Sequence, residues 1–289
     1  MKVQVAIVQA FVEQGKGGNP AGVVLQADPL SQAQKQAVAK AVGYSETAFV
    51  STSGVADFKV EFFTPTCQIA HCGHATIATF NLLQAQGLIS NPHSSKETID
   101  GIRSVTLRHD QAFMQQLAPV YQPIEEWQPQ ILQALGLQNA DLSASPLLAD
   151  TGNAFVLVGV TDKTRLSAIT PDLALVDQIS QQLDLIGFYV FSTDTYLPGR
   201  AATTRMFAPR YGISEEAATG MAAGPLACYL HDFMQHKQKT LLIEQGYAMT
   251  TPSPSLLQVE LTVQNDQIIN LEAGGRAAIS HWLEVEVAD

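Results

Sequence analysis

The sequence predicts an α+β protein of two tandem domains with similar topology, each a set of short strands around one buried helix. Three observations predict it. First, fragments recur in the same order: GNPAGVVL (18–25) with GNAFVLV (152–158), TAFVS (47–51) with FYVFS (188–192), FFTP (62–65) with MFAP (206–209), and CGHATIATFNLL (72–83) with ATGMAAGPLACYL (218–230). The offset grows from 134 residues to about 147, the drift that loop insertions leave in a duplicated domain, and the period is too long for a solenoid. Second, short apolar runs bounded by turn residues fill both halves. Third, each half holds one long segment that is apolar nearly all round, which marks a buried helix.

In chain order, VQVAIVQAF (3–11) and AGVVLQ (21–26) read as strands. LSQAQKQAVAKAVG (30–43) has apolar residues at helical spacing and ends in Gly43, a C-cap signal. ETAFVS (46–51), FKVEFF (58–63) and VTLRH (105–109) read as further strands. Between them HATIATFNLLQAQGL (74–88) places Ala75, Ile77, Ala78, Phe80, Leu82 and Leu83 on every face of a helix. Pro119 and Pro123 interrupt the pattern in QQLAPVYQPIEEW and set the expected boundary. This gives a first domain over 1–118, rejoined by a C-terminal strand over 277–289, and a second over 119–276. In the second half TGMAAGPLACYLHDFM (219–234) is the matching buried helix, and Asn265-Asp266 reads as a hairpin turn between closing strands.

The 289 residues carry 46% hydrophobic and 15% charged side chains, enough for a substantial core and too apolar for wholesale disorder. A net charge of −11 argues against nucleic acid and anionic membrane surfaces as partners. It leaves room for an anionic substrate in a local positive field. No run of about 18 apolar residues occurs, so no membrane span is expected. MKVQVAIVQAF lacks the continuous apolar segment of a signal peptide, and three cysteines without framework spacing suit a reducing compartment. A cytoplasmic location is the expectation.

The stretch CQIAHCGHAT (67–76) puts Cys67, His71, Cys72 and His74 within eight positions. A metal is not expected there. Structural zinc needs four convergent ligands, usually from two separated pairs, and no second pair exists. Cys72 and His74, two apart at a helix start, should also point apart. The turn Cys72-Gly73-His74 fits an anion site instead, with free N–H groups and the positive helix end at a glycine that admits close approach. Thr219-Gly220-Met221 offers the same turn in the other half, although both glycines would equally serve plain helix packing. Glu46, in GYSETAFV at the mouth of an apolar strand, suits proton transfer if it faces a cleft and is a solvated turn residue if it does not. Glu215 and Glu216 precede the second buried helix, where acids favour the helix end or orient a substrate amine or hydroxyl.

Taken together, GNPAGVV (18–24), SETAFV (45–50), FFTPTCQIAHCGHAT (62–76), RMFAP (205–209) and EEAATGMAAGP (215–225) resemble the PhzF-like family, relatives of a phenazine-biosynthesis isomerase that share the diaminopimelate epimerase-like fold. The resemblance covers essentially the whole chain. It implies two pseudo-symmetric domains of curved, mainly antiparallel strands around a central helix, with a cleft between them. It also implies a homodimer, no metal or organic cofactor, and a small carboxylate-bearing substrate. By position, Glu46 matches the family's general acid/base and His74 its cleft histidine. Glu216 stands at the aspartate of an E-D-x-x-T-G motif. Gly73, Thr219 and Gly220 match the backbone anion cradle, and Asn19 a motif near the cleft. There are departures. Met221 stands where the phenazine enzyme has serine, and Ala75 replaces the proline after the histidine. Cys72 aligns with one catalytic cysteine of diaminopimelate epimerases, whose second cysteine position is read as Ala217.

The function expected is a cofactor-independent isomerase or epimerase that moves a proton within its substrate, with Glu46 as general acid/base, His74 and Glu216 assisting, and Asn19, Cys72, Gly73, Thr219, Gly220 and Met221 binding. Two alternatives remain at the level of sequence. A one-thiol racemase would use Cys72 and requires its thiol pKa to be depressed at the helix N-terminus. A non-catalytic metabolite-binding protein would keep the scaffold alone.

Overall fold

A computed structural model of the chain describes residues 1–288. They divide into two compact units, one of residues 1–115 with the C-terminal segment from Gly274, the other Gln116–Ala273. The first unit contains β1 (Lys2–Ala10), β2 (Asn19–Val24), α1 (Gln32–Val42), β3 (Thr47–Ser51), β4 (Phe58–Phe63), β5 (Gln68–Ile69), α2 (Gly73–Ala85), β6 (His93–Thr98), β7 (Gly101–Arg108) and β8 (Gln111–Gln116). The second contains β9 (Val120–Pro123), α3 (Gln128–Leu135), β10 (Leu147–Asp150), β11 (Ala154–Gly159), α4 (Lys163–Ala168), α5 (Leu173–Gln182), β12 (Gly187–Ser192), β13 (Ala202–Ala208), β14 (Ile213–Glu216), α6 (Gly220–Phe233), β15 (Thr240–Gln245) and β16 (Ser255–Gln264). The last strand, β17 (Gln267–Glu286), starts in the second unit and ends in the first.

The two units repeat one pairing scheme. In the first, β1 and β2 are antiparallel, β2 runs parallel to β3 with Gly22 opposite Thr47, β3 is antiparallel to β4, and β4 runs parallel to β6 with Phe58 opposite Lys96. In the second, β10 and β11 are antiparallel, β11 runs parallel to β12 with Phe155 opposite Gly187, β12 is antiparallel to β13, and β13 runs parallel to β15 with Ala202 opposite Ile243. Superposing the schemes equates Glu46 with Gly187, Cys72 with Thr219, His74 with Met221, and Lys96 with Ile243. Cys72 and Thr219 are both helix N-caps. The residue related to Cys72 is therefore Thr219 and not Ala217, which corrects the sequence alignment, and neither position carries a second thiol.

Each unit has its apolar layers. Val3, Val5 and Ile7 of β1 pack with Val38 and Ala39 of α1, Phe49 and Phe63. In the second unit α3, α4 and α5 pack Ile131, Leu135, Leu166, Val176 and Ile179 against Val156, Val158, Phe188 and Val190. These three helices were not read from the sequence. The capping box of Ser31 and the left-handed Gly43 end α1 as its sequence predicts. Asn265 and Asp266 both have positive φ between β16 and β17, as a two-residue hairpin turn requires.

The central helix α2 is buried from Gly73 to Leu83. Its two threonines and its asparagine bond back to carbonyls at the helix start and within the helix. Thr76 Oγ1 donates to the Cys72 carbonyl (2.6 Å), Thr79 Oγ1 to Ala75 (2.7 Å) and Asn81 Nδ2 to Ile77 (2.8 Å), so their burial leaves no stranded donor. Helix α6 is buried from Gly220 to His231, apart from Met221. No helix among the described residues is long and apolar enough to cross a membrane.

Candidate active site

In the first unit, parallel pairing of β2 with β3 places Glu46 at the entrance of β3, its carbonyl accepting the Gly22 N–H (3.1 Å). A Cβ on Gly22 would meet Thr47 Oγ1 at 2.8 Å, so glycine allows this approach. Helix α2 begins beside it. Glu46 is 7% exposed, Cys72 5% and His74 4%. His74 Nε2 lies 3.2 Å from Glu46 Oε2, and His74 Nδ1 lies 3.6 Å from Cys72 Sγ. The imidazole therefore stands between a thiol on one ring nitrogen and a carboxyl on the other.

One expectation from sequence is overturned here. Cys72 and His74 do not diverge. Cys72 is the N-cap, with extended backbone (φ −144°, ψ 126°), so the helical angle between positions two apart does not apply to it. One argument against a metal thus fails, since Glu46, Cys72 and His74 offer ligand atoms within 4.8 Å of one another. The contacts themselves use opposite nitrogens of the ring. The depressed thiol pKa that a one-thiol racemase requires is not met. Burial first, and then the neighbouring Glu46 carboxylate, push the Cys72 thiol up, while His74 acts in the opposite sense. Desolvation outweighs the helix end.

Around this trio, the first intrahelical bond of α2 runs from Thr76 N–H to the Cys72 carbonyl (3.2 Å). Cys72 makes no side-chain cap, and no acid stands in the first turn. The N–H groups at Gly73 onward lie before the carbonyl ladder begins. Asn19 opens β2, buried and paired with Ala10. The preceding Gly18 has φ +90°, and a Cβ there would lie 2.6 Å from the Ala10 carbonyl oxygen, so the GN dipeptide is fixed by backbone geometry.

The sequence reading missed Lys96. It is fully buried on β6, with Nζ against Thr76 Oγ1, 3.2 Å from His71 Nδ1, and 4.8 Å over the Phe62 ring. Burial brings its ammonium down to about 7. Burial with the Lys96 and Arg103 charges holds His71 down at about 3, so His71 is neutral and accepts from Lys96. Cys67 is exposed in the connection between β4 and β5.

The second unit gathers Glu216, Thr219, Gly220 and Met221 at the start of α6. Glu215 is held bidentate by Arg205 (2.7 and 2.8 Å). The half-buried Glu216 carboxylate accepts the Thr219 hydroxyl. Gln245, also unread from sequence, underlies the turn. Its Oε1 accepts from Thr219 N–H (3.1 Å) and Tyr189 Oη (2.9 Å), and its Nε2 donates to the Glu216 carbonyl (2.7 Å) and Thr219 Oγ1 (3.1 Å). Gln116 Nε2 donates to the Gly220 carbonyl (2.9 Å). The first unit alone has the carboxyl, thiol and imidazole. Their counterparts here are Gly187, Thr219 and Met221, which cannot carry protons in that order.

Comparison with known proteins follows the fold. The family described as phenazine biosynthesis-like protein (PhzC-PhzF) matches residues 8–281. The chain is 33% identical to the uncharacterized isomerase YddE of Salmonella typhimurium, over 96% of this chain and 97% of that protein. It is 30% identical to the trans-2,3-dihydro-3-hydroxyanthranilate isomerase of Pseudomonas chlororaphis, over 93% of this chain and 94% of that enzyme. Its fold is similar to the crystal structure of the Bacillus anthracis phenazine biosynthesis protein of the PhzF family, with a TM-score of 0.89 and 26% identity, covering 99% of this chain and 100% of that one.

Proposed function

The chain belongs to the phenazine biosynthesis-like family and is an isomerase-type enzyme, and from that premise we propose that it shifts a proton between two positions of a small carboxylate-bearing metabolite using its own side chains. Glu46 is the general acid/base. It takes a proton from a substrate carbon and returns it elsewhere on the same molecule. The observation that carries this reading is the 3.2 Å approach of His74 Nε2 to the Glu46 carboxyl at the start of a buried helix. A carboxyl so placed lies beside the imidazole and is screened from bulk water, which favours passage of its proton to substrate over solvent.

The first-turn N–H groups of α2 at Gly73 are assigned the substrate carboxylate, which the positive helix end favours. Thr219 and Gly220 are assigned the same role at α6, while Asn19 and Glu216 orient polar substituents. Negative charge that develops on the substrate is stabilised by these fixed dipoles, since they need no reorganisation during the reaction. A one-thiol racemase is disfavoured by the buried Cys72, whose thiol keeps its proton. The proposal includes a homodimer, which light scattering would report.

The test is deuterium wash-in. A panel of small carboxylates, headed by trans-2,3-dihydro-3-hydroxyanthranilate, is incubated with the protein in D₂O and followed by NMR. At least one compound should exchange a carbon-bound proton and isomerise. Ligands that bind with no exchange at any carbon would replace the enzyme reading by plain binding.

A further inference from the structure

Deepening the reading of Glu46 as the acid/base, we infer that Cys72 is a positioning residue whose S–H donates a hydrogen bond to His74 Nδ1 and so fixes His74 as the neutral Nε2–H tautomer, with that N–H on the edge of the ring that lies beside the Glu46 carboxylate. Three observations lead there. The ring has a distinct partner on each nitrogen, Cys72 Sγ at 3.6 Å and Glu46 Oε2 at 3.2 Å. All three groups are at least nine-tenths buried, so the partners decide where the ring proton sits. The thiol holds its hydrogen, because burial and the adjacent Glu46 carboxylate oppose its ionisation.

An imidazole with one ring proton has two placements. With the proton on Nδ1, the Nε2 lone pair would face a carboxylate oxygen at 3.2 Å and repel it, and the thiol hydrogen would have no role. With the proton on Nε2, the thiol has an acceptor, and the carboxylate has the positive end of an N–H beside it at 3.2 Å in place of a lone pair. The hydrogen bond then runs from sulfur to nitrogen, and the ring proton sits on the nitrogen nearer the carboxyl. The resting site is therefore set to begin with proton removal, with Glu46 as the carboxylate. The related helix start in the second unit has Thr219 and Met221 at these positions, so the device is confined to the unit that holds Glu46.

The tautomer is read directly by long-range proton–nitrogen NMR of protein labelled at its histidine ring nitrogens, with the His74 signals assigned by comparison with His74→Asn. Wild-type protein at neutral pH should show Nδ1 of His74 in the pyridine-like range and Nε2 in the pyrrole-like range. Cys72→Ser, which keeps a donor, should preserve that pattern. Cys72→Ala should lose it, with Nδ1 moving toward protonation. A wild-type ring protonated on Nδ1 or on both nitrogens would overturn the inference, and so would an unchanged pattern in Cys72→Ala. If Cys72→Ala does not fold, the wild-type spectrum alone decides. Because no substrate is needed, the spectrum can fail while deuterium wash-in succeeds, or the reverse, and the two claims are judged apart.

Discussion

Replacing Lys96 by methionine should stabilise the protein near neutral pH, and by an amount that depends on pH. Lys96 is fully buried with hydroxyl, imidazole and aromatic neighbours and no carboxylate in contact. Burial lowers its pKa from 10.5 to about 7, which corresponds to roughly 5 kcal/mol of destabilisation when the group is charged in both states. Methionine removes that cost and has nearly the same length. It takes away the donor to His71 Nδ1, worth roughly 1–3 kcal/mol for a buried acceptor left unmet. The related position in the second unit is Ile243, fully buried, so an apolar side chain suits this place in the scheme.

The net expectation at about pH 6 is a variant more stable by a few kcal/mol. Below about 7 both folded and unfolded wild type bind the lysine proton, so the difference is flat. From about 7 up to 10.5 the folded chain sheds the proton while the unfolded chain keeps it. Wild-type stability then rises relative to Lys96→Met, by on the order of 1 kcal/mol per pH unit. His71, at about 3, does not titrate in this window. Urea unfolding of both proteins at several pH values measures the difference directly. A stability difference that stays constant from about pH 6 to about pH 9 would refute the reasoning, because it would mean that Lys96 is charged to the same extent in both states.

Other outcomes follow from the same contacts. Brief alkylation of the folded protein should label the exposed Cys67 at least about tenfold faster than Cys72 or Cys228, since both buried thiols have raised pKa values and only the thiolate reacts; peptide mass spectrometry would show it. Gln245→Leu should destabilise the second unit by about 3 kcal/mol, as it strands the buried Thr219 N–H and Tyr189 hydroxyl, and denaturant titration measures this. Gly224→Ala should weaken the same helix start by roughly 1–3 kcal/mol, because the new Cβ would lie 2.0 Å from Gln116 Oε1 and displace the side chain that holds the Gly220 carbonyl; its melting temperature should fall.

The duplicated scheme was legible because its constraints are local and strict. Gly18 needs a left-handed backbone against the Ala10 carbonyl, and the helix starts at Gly73 and Gly220 open helices that are buried over most of their length. Such signals survive in a single sequence. Helices α3, α4 and α5 were less visible: α4 has six residues, and α5 shows itself mainly through Asp172 capping Ala174 and Leu175, a cue that could have found it. Lys96 was hidden for a different reason. In HSSKET the inward positions are Ser94, Lys96 and Thr98, so a strand with a buried face looks polar throughout and reads as surface. Gln245 ends the strand TLLIEQ beside another polar residue, Glu244, and nothing local says that its amide will underlie a helix start 26 residues earlier in the chain. The Cys72–His74 contact escaped because helical spacing was applied to a residue whose backbone is extended.

Glu46 is the proton carrier of the proposed mechanism, and removing that capacity is the most direct measurement. On a substrate identified by wash-in, Glu46→Gln keeps the shape and a hydrogen-bonding amide beside His74 while losing the ability to hold and release a proton. With unchanged circular dichroism and melting temperature, the variant should lose deuterium exchange and turnover by roughly 10²–10⁴-fold, with little change in KM. Exchange and turnover at the wild-type rate in Glu46→Gln would contradict the account and assign the proton to another group.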